Sequence, residues 1–265
     1  MDEDAFLKGM GMFDRQTIKV FTEKVPDLQR PWKALLTVLY TLFLGALCVV
    51  FFFYVDRLAW YASILSQFAM ALIVTTISYM HFKVVDGYRE THGPLAYRYY
   101  FYHLMVPYLV TWYACFFHPL FVYGPLLLPW WLAIGLGSVF LLLMLLANSH
   151  IERAGFHMVT HGMDVYTVFP DEATVVYGKI YGYIRHPLYF ALTCGCIGLG
   201  FLRNNAVALA VSLLQLIPAL AAGYMEDREL VDRAGEEHKK YIERTAALIP
   251  VRRLWGFLKL LFFLA

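Results

Sequence analysis

Charge is what this 265-residue chain has least of. Only 16% of its residues are Asp, Glu, Lys or Arg, against about 25% in an ordinary soluble domain, and the net charge is +2 with histidine neutral. So sparse and balanced a set excludes a disordered chain and a nucleic-acid binder, which needs a basic surface. Cysteine is scarce too. Cys48, Cys115, Cys194 and Cys196 all fall inside apolar runs, where a thiol behaves as a small hydrophobe, so a secreted disulfide scaffold is excluded as well. Cys194 and Cys196 lie two apart and do not share a helix face, which removes the obvious redox or zinc pair. The opening Met-Asp-Glu-Asp lacks the basic-then-apolar order of a cleavable signal, and none is expected. The sequence carries no internal repeat and no low-complexity linker.

What fills the chain instead is hydrophobic: 60% of residues, with 17% aromatic and a mean hydropathy of +0.56. A spanning helix needs about 20 residues almost free of charge. Stretches without Asp, Glu, Lys or Arg run from Ala34 to Val55, from Leu58 to Met80 and from Tyr99 to Ile151. The last is too long for one helix and divides at Gly124-Pro125-Leu126-Leu127-Leu128-Pro129, a turn signal, into spans near 101–123 and 130–149. Pro187 to Leu202 and Asn204 to Met225 follow, separated by Arg203-Asn204-Asn205. The expected fold is an all-α polytopic membrane helical bundle of about six transmembrane helices, with Trp60 and Tyr61 at headgroup level.

The few charges orient it. With both termini on one side, 20 of the 22 Lys and Arg lie on that side and only Arg57 and Arg203 on the other. The positive-inside rule therefore puts the N- and C-termini, and the loops 81–98 and 152–186, in the cytoplasm. Residues 1–31 are expected as an interfacial amphipathic segment displaying Phe6, Leu7, Phe13, Ile18 and Phe21, residues 32–151 as a four-span region, and residues 152–265 as a helical hairpin with a cytoplasmic C-terminal helix. That last helix carries Leu230, Ala234, Tyr241, Thr245 and Leu248 and stops near Pro250; Leu254 to Ala265 is too short to span and is expected in the interface.

Lipid accounts for most apolar residues, so the informative ones are polar and sit at helix ends. Tyr181-Gly182-Tyr183-Ile184-Arg185-His186-Pro187-Leu188-Tyr189 enters the fifth span, and Glu226-Asp227-Arg228-Glu229 leaves the sixth. A tight hairpin at about 1.5 Å per residue returns both to one membrane face. Their meeting joins an Arg, a His, several Tyr and paired carboxylates, which suits a zwitterionic small molecule: carboxylates take hydroxyls or an ammonium, and Arg takes a carboxylate. Pro187 fits the first turn of a helix. The same residues are also what positive-inside bias and a helix-end salt bridge would leave.

The order of these residues resembles the C-terminal half of the isoprenylcysteine carboxyl methyltransferase and phospholipid methyltransferase superfamily, integral-membrane enzymes that use S-adenosylmethionine. The resemblance covers residues 177–250: the Arg-His-Pro-x-Tyr string at 185–189, then Gly198-Leu199-Gly200, then Glu-Asp-Arg-Glu-Leu at 226–230, with Gly235, Tyr241 and Pro250. It implies that Tyr181, Arg185, His186, Pro187 and Tyr189 belong to a cofactor pocket, that Gly198 and Gly200 let a helix backbone approach the cofactor, and that Glu226 and Asp227 hold its polar groups. The chain departs from the family in having Asp227 where Glu is usual, Lys179 where Gly is frequent, and about fifteen extra residues after His157-Met158-Val159-Thr160-His161-Gly162.

The activity so implied is methyl transfer from S-adenosylmethionine to a lipophilic acceptor, a lipid or lipidated substrate of the prenylcysteine-carboxylate or phospholipid-amine type, at the cytoplasmic face, with Arg185, His186 and Glu226 as the catalytic candidates. The expected partners are such a substrate and membrane lipids. For an amine acceptor, a neutral His or a carboxylate would take the proton. Two other readings stay open. Arg-His-Pro also occurs in NADPH-dependent sterol-type reductases, where Asn usually follows Pro and Leu188 stands here. His150, His157, His161 and Asp164 could share a helical face, but the adjacent histidine pairs of membrane di-iron oxygenases are missing and no metal is expected. A non-enzymatic scaffold is the remaining alternative; a transporter has little support without charge inside a span.

Overall fold

A backbone in lipid must close its hydrogen bonds within its own segment, which leaves helices as the solution for long apolar runs. The computed structural model describes residues 15–157, 160–172 and 176–264, and the regular structure among them is helical, with two isolated bridges and no strand. In chain order the helices are α1 (Arg15–Lys24), α2 (Pro31–Val55), α3 (Ala62–His92), α4 (Ala96–Tyr100), α5 (Val106–Phe117), α6 (Trp130–Arg153), α7 (Val165–Val168), α8 (Pro187–Arg203), α9 (Ala206–Leu213), α10 (Leu216–Ala234), α11 (Glu236–Arg244) and α12 (Leu254–Leu261). Each of the six expected spans is occupied by helix.

By length and apolarity, four continuous helical stretches among the described residues can cross a membrane: 31–55, 62–121, 130–153 and 206–234. The second doubles back at Gly93 (φ +50), so α3 and α5 run side by side, with Gln67 Nε2 donating to the Cys115 carbonyl at 3.2 Å and Tyr100 and His81 hydrogen-bonded at 2.9 Å. Helix α8 has 17 residues, about 26 Å, short of a hydrocarbon core of about 30 Å. The chain is an all-α integral membrane protein.

Small residues set the bundle's closest seam. A Cβ on Gly137 of α6 would come within 3.0 Å of the Gly198 carbonyl of α8, and one on Gly198 within 3.1 Å of the Gly137 carbonyl, the backbone approach that membrane helices use where no hydrophobic force drives them together. Helix α10 packs Ala219 and Ala222 against Met70 and Val74 of α3. At one end of the bundle the two expected turns tie to each other. Asn204, left-handed at φ +56, accepts from the Leu128 amide at 3.0 Å and donates to the Leu128 carbonyl at 2.9 Å; Asn205 caps α9 by accepting from Ala208 at 2.6 Å and donates to the Val122 carbonyl at 3.0 Å. The opposite end of the bundle, reached by the start of α8 and the end of α10, holds the candidate site.

Three expectations change. Segment 81–98 is not a loop: α3 continues to His92, with an Arg89–Asp86 ion pair one turn apart, until Gly93 ends it. Phe21 of the amphipathic α1 is buried against protein, meeting Tyr97 and Phe101 edge-on at 6.0 and 5.5 Å, while Ile18 stays 40% exposed; Phe6, Leu7 and Phe13 lie outside the described residues. The expected C-terminal helix is two helices, because Gly235 at φ +61 breaks α10 from α11. Helix α12 folds back so that Phe257 and Leu261 join Ile180 and Ile184 in a core cluster.

Candidate active site

Pro187 starts α8, where its missing N–H leaves nothing unsatisfied. The three residues before it run alongside the stretch after α11: Arg185 N donates to the Ala246 carbonyl at 2.9 Å and His186 N to that of Ala247 at 3.1 Å. This short parallel pairing fixes both side chains before any side-chain contact forms. Arg185 then forks onto Asp227 of α10, with Nε at 3.2 and 3.1 Å from the two oxygens and a terminal nitrogen at 2.9 Å. Its other terminal nitrogen donates to the Ile242 carbonyl at 3.1 Å and to that of Thr245, closing the carboxyl end of α11, where a cation is favoured. Arg185 and Asp227 are largely consumed by each other and by the backbone.

His186 lies against both acids, Nδ1 at 3.3 Å from Glu226 and Nε2 at 3.2 Å from Asp227, though neither contact has hydrogen-bond geometry. Gly223 of α10 makes room for it, since a Cβ there would stand 2.8 Å from the ring. Burial alone would depress the imidazole, but the two carboxylates outweigh it and raise His186 to about 9. With its proton held to that pH, it acts as an electrostatic group at neutral pH. Glu226, by contrast, keeps its side chain 40% exposed and is the carboxylate free to meet a ligand.

The residues converge on an open cleft with a cavity volume of about 140 Å³, below the range of about 300–1,000 Å³ usual for small-molecule sites. Tyr181, Arg185, His186, Glu226 and Asp227 line it. Pro187, Tyr189, Gly198 and Gly200 do not: Tyr189 stacks on Trp112 with centroids 5.6 Å apart, Gly198 faces α6, and Gly200 faces Ser212 of α9. Those glycines serve helix packing here.

The facing wall was missed in the sequence. It comes from the segment before the motif, through Phe156, His161, Asp164, Tyr166 and Thr167. Asp164 sits at φ +55, which Asp tolerates, 3.6 Å from His81 of α3. Burial, with the charge of Glu226 added, holds its carboxyl well above the usual range, and burial beside His157 holds His161 down at about 4. The one available signal was the run of His and Asp at 157–164 itself. As a metal set it does not assemble: His150 turns to the Leu261 carbonyl at 3.2 Å and stacks on Phe263, while His161 accepts from the His157 amide at 3.1 Å.

Fold and cleft together define a class, an all-α integral membrane protein with a carboxylate-bearing polar cleft at one end of its bundle. A curated protein similar to the chain is methanethiol S-methyltransferase 1 of Bradyrhizobium diazoefficiens, 28% identical over 109 residues, which is 40% of this chain and 35% of that relative. The relative belongs to the isoprenylcysteine carboxyl methyltransferase-like membrane methyltransferases, the group that residues 177–250 resemble. The match spans about a third of that relative's length. No family model matches the chain, and no solved structure does.

Proposed function

We propose that the chain is an S-adenosylmethionine-dependent methyltransferase acting on a lipophilic acceptor, with its cleft on the cytoplasmic face of the membrane. The observation that carries this reading is the convergence of residues 181–186 with residues 226–227 in one cleft at one mouth of a membrane bundle. The charge asymmetry of the loops supports the orientation, and the methyltransferase relative supports the reaction class.

The residues suit the cofactor. The Glu226 carboxylate is exposed and so takes an ammonium or ribose hydroxyls; Phe156, Tyr166 and Tyr181 give aromatic surface for a base. When bound, S-adenosylmethionine supplies a methyl group already activated on a sulfonium. What remains for the chain is positioning and exclusion of water. Arg185 is a positioning residue that holds Asp227 and the end of α11, and Asp227 in turn holds His186. Glu226 contacts the cofactor, and His186, buried between the two carboxylates, positions Glu226. A lipid-borne acceptor reaches such a site from the bilayer while the cofactor enters from water; a carboxylate, an amine or, by analogy with the relative, a thiol fits this scheme.

Isothermal titration of purified protein in detergent tests the reading. Native protein binds S-adenosylmethionine and not NADPH, and Glu226→Ala loses the binding while its thermal unfolding is unchanged. Undiminished binding by the variant, or binding of NADPH alone, overturns it.

A further inference from the structure

A second groove lies away from the cleft and shares no residue with it. It opens where α2 enters the apolar region, beside the start of the α4–α5 limb. Its polar end is Asp27, in the turn before α2, held by Lys33 of α2 and by Nε of Arg98 of α4. One carboxylate thus stands between two cations, and the group keeps one positive charge. Neither cation is consumed: Lys33 and Arg98 have side chains 25% and 29% exposed, and each has further N–H donors beyond the one given to Asp27. Below them Tyr102 and Thr37 share a hydrogen bond of 2.9 Å, and Tyr40 donates to the Tyr102 carbonyl at 3.1 Å, so hydroxyls continue the polar end inward. Trp32, 59% exposed, stands at the rim, and exposed Leu35, Leu36 and Leu39 lead down α2.

We propose that this groove binds the headgroup phosphate of an anionic phospholipid, with Lys33 and Arg98 on the phosphate, Trp32 at headgroup level and the acyl chains along the exposed leucines of α2. The inference is independent of methyl transfer. Three observations select a lipid over a soluble anion. The residual charge of +1 matches one phosphodiester. The indole is placed where Trp is enriched in membrane proteins. The groove continues into the apolar face that any acyl chain would cover, whereas a free phosphate would gain nothing from α2. Asp27 acts as an internal competitor, occupying donors that the phosphate would otherwise take.

The test uses full-length protein in neutral detergent, titrated with phosphatidylglycerol, phosphatidylcholine or inorganic phosphate and read by native mass spectrometry. One phosphatidylglycerol is retained in preference to phosphatidylcholine. A basic residue near an anionic lipid contributes about fivefold in affinity, and Asp27→Asn/Lys33→Gln/Arg98→Gln removes one net positive charge, so it weakens retention by about fivefold. The Asp27 change is included so that no carboxylate is left unpaired. Asp27→Asn alone frees both cations and tightens retention, a gain that a folding defect would not produce. Equal retention in native protein and the triple variant, weaker retention in Asp27→Asn, or displacement of the lipid by millimolar inorganic phosphate each overturns the proposal.

Discussion

Replacing Asp227 by Asn probes the centre of the candidate site. Four charges meet there and cancel: Arg185 and protonated His186 against Asp227 and Glu226. Asparagine keeps the shape but removes the charge that three groups share, since His238 also stands 3.5 Å from Asp227. Arg185 and Asp227 are nearly buried, with side chains 12% and 11% exposed, so the guanidinium left behind is not rehydrated, and breaking one side of such a pair costs about 3–5 kcal/mol. Arg185→Gln leaves Asp227 with only imidazoles for partners and costs a similar amount. Changing both removes the uncompensated charge, so the double variant loses less than the sum of the singles by about 2 kcal/mol. Urea unfolding in detergent, followed by helical circular dichroism, measures the cycle. If the single variants lose under about 0.5 kcal/mol, or if the two losses add, Arg185 and Asp227 are not the clamp described above.

Three further outcomes follow from the geometry. The folded His186 pKa of about 9 stands above an unfolded value of about 6.5, so its contribution to stability is complete below pH 6.5 and disappears as pH rises through 9. The difference amounts to about 3 kcal/mol, and His186→Gln flattens this slope in a pH series of unfolding curves; an unchanged slope refutes the assignment. Gly198→Ala forces its Cβ to 3.0 Å from Leu141 and 3.1 Å from the Gly137 carbonyl. It costs about 1–3 kcal/mol of stability while cofactor affinity holds; lost affinity at full stability would return Gly198 to the cofactor. Asn204→Ala loses both hydrogen bonds to Leu128 and strains φ +56; melting in detergent is expected to register a loss of about 2 kcal/mol, and no change would mean that the two turns are not tied through it.

The long apolar helices were legible because lipid imposes a length and an absence of charge that any 20-residue window reveals. The union of residues 181–186 with residues 226–227 was legible for a related reason: a hairpin of two helices has only two ends. Partnership within that union was not. Nothing in the order of residues shows that Arg185 spends its fork on Asp227 and the α11 carbonyls, which leaves Glu226 as the open acid. Gly198 and Gly200 read equally well as room for a ligand or for a helix, and only the position of α6 and α9 decides it. The wall bearing Asp164 lies in a short irregular segment without helical or strand period, where the pattern of side chains carries no orientation. The extension of α3 to His92 was hidden because Asp86, Arg89 and Glu90 suit a solvated loop and a solvated helix alike.

The central claim is that this cleft moves a methyl group. Membranes containing the protein, incubated with methyl-labelled S-adenosylmethionine and separated into lipid, protein and volatile fractions, test it most directly. Label is expected in one lipophilic fraction from native protein and none from Glu226→Ala; no transfer to any fraction by native protein, or equal transfer by the variant, contradicts the methyltransferase reading.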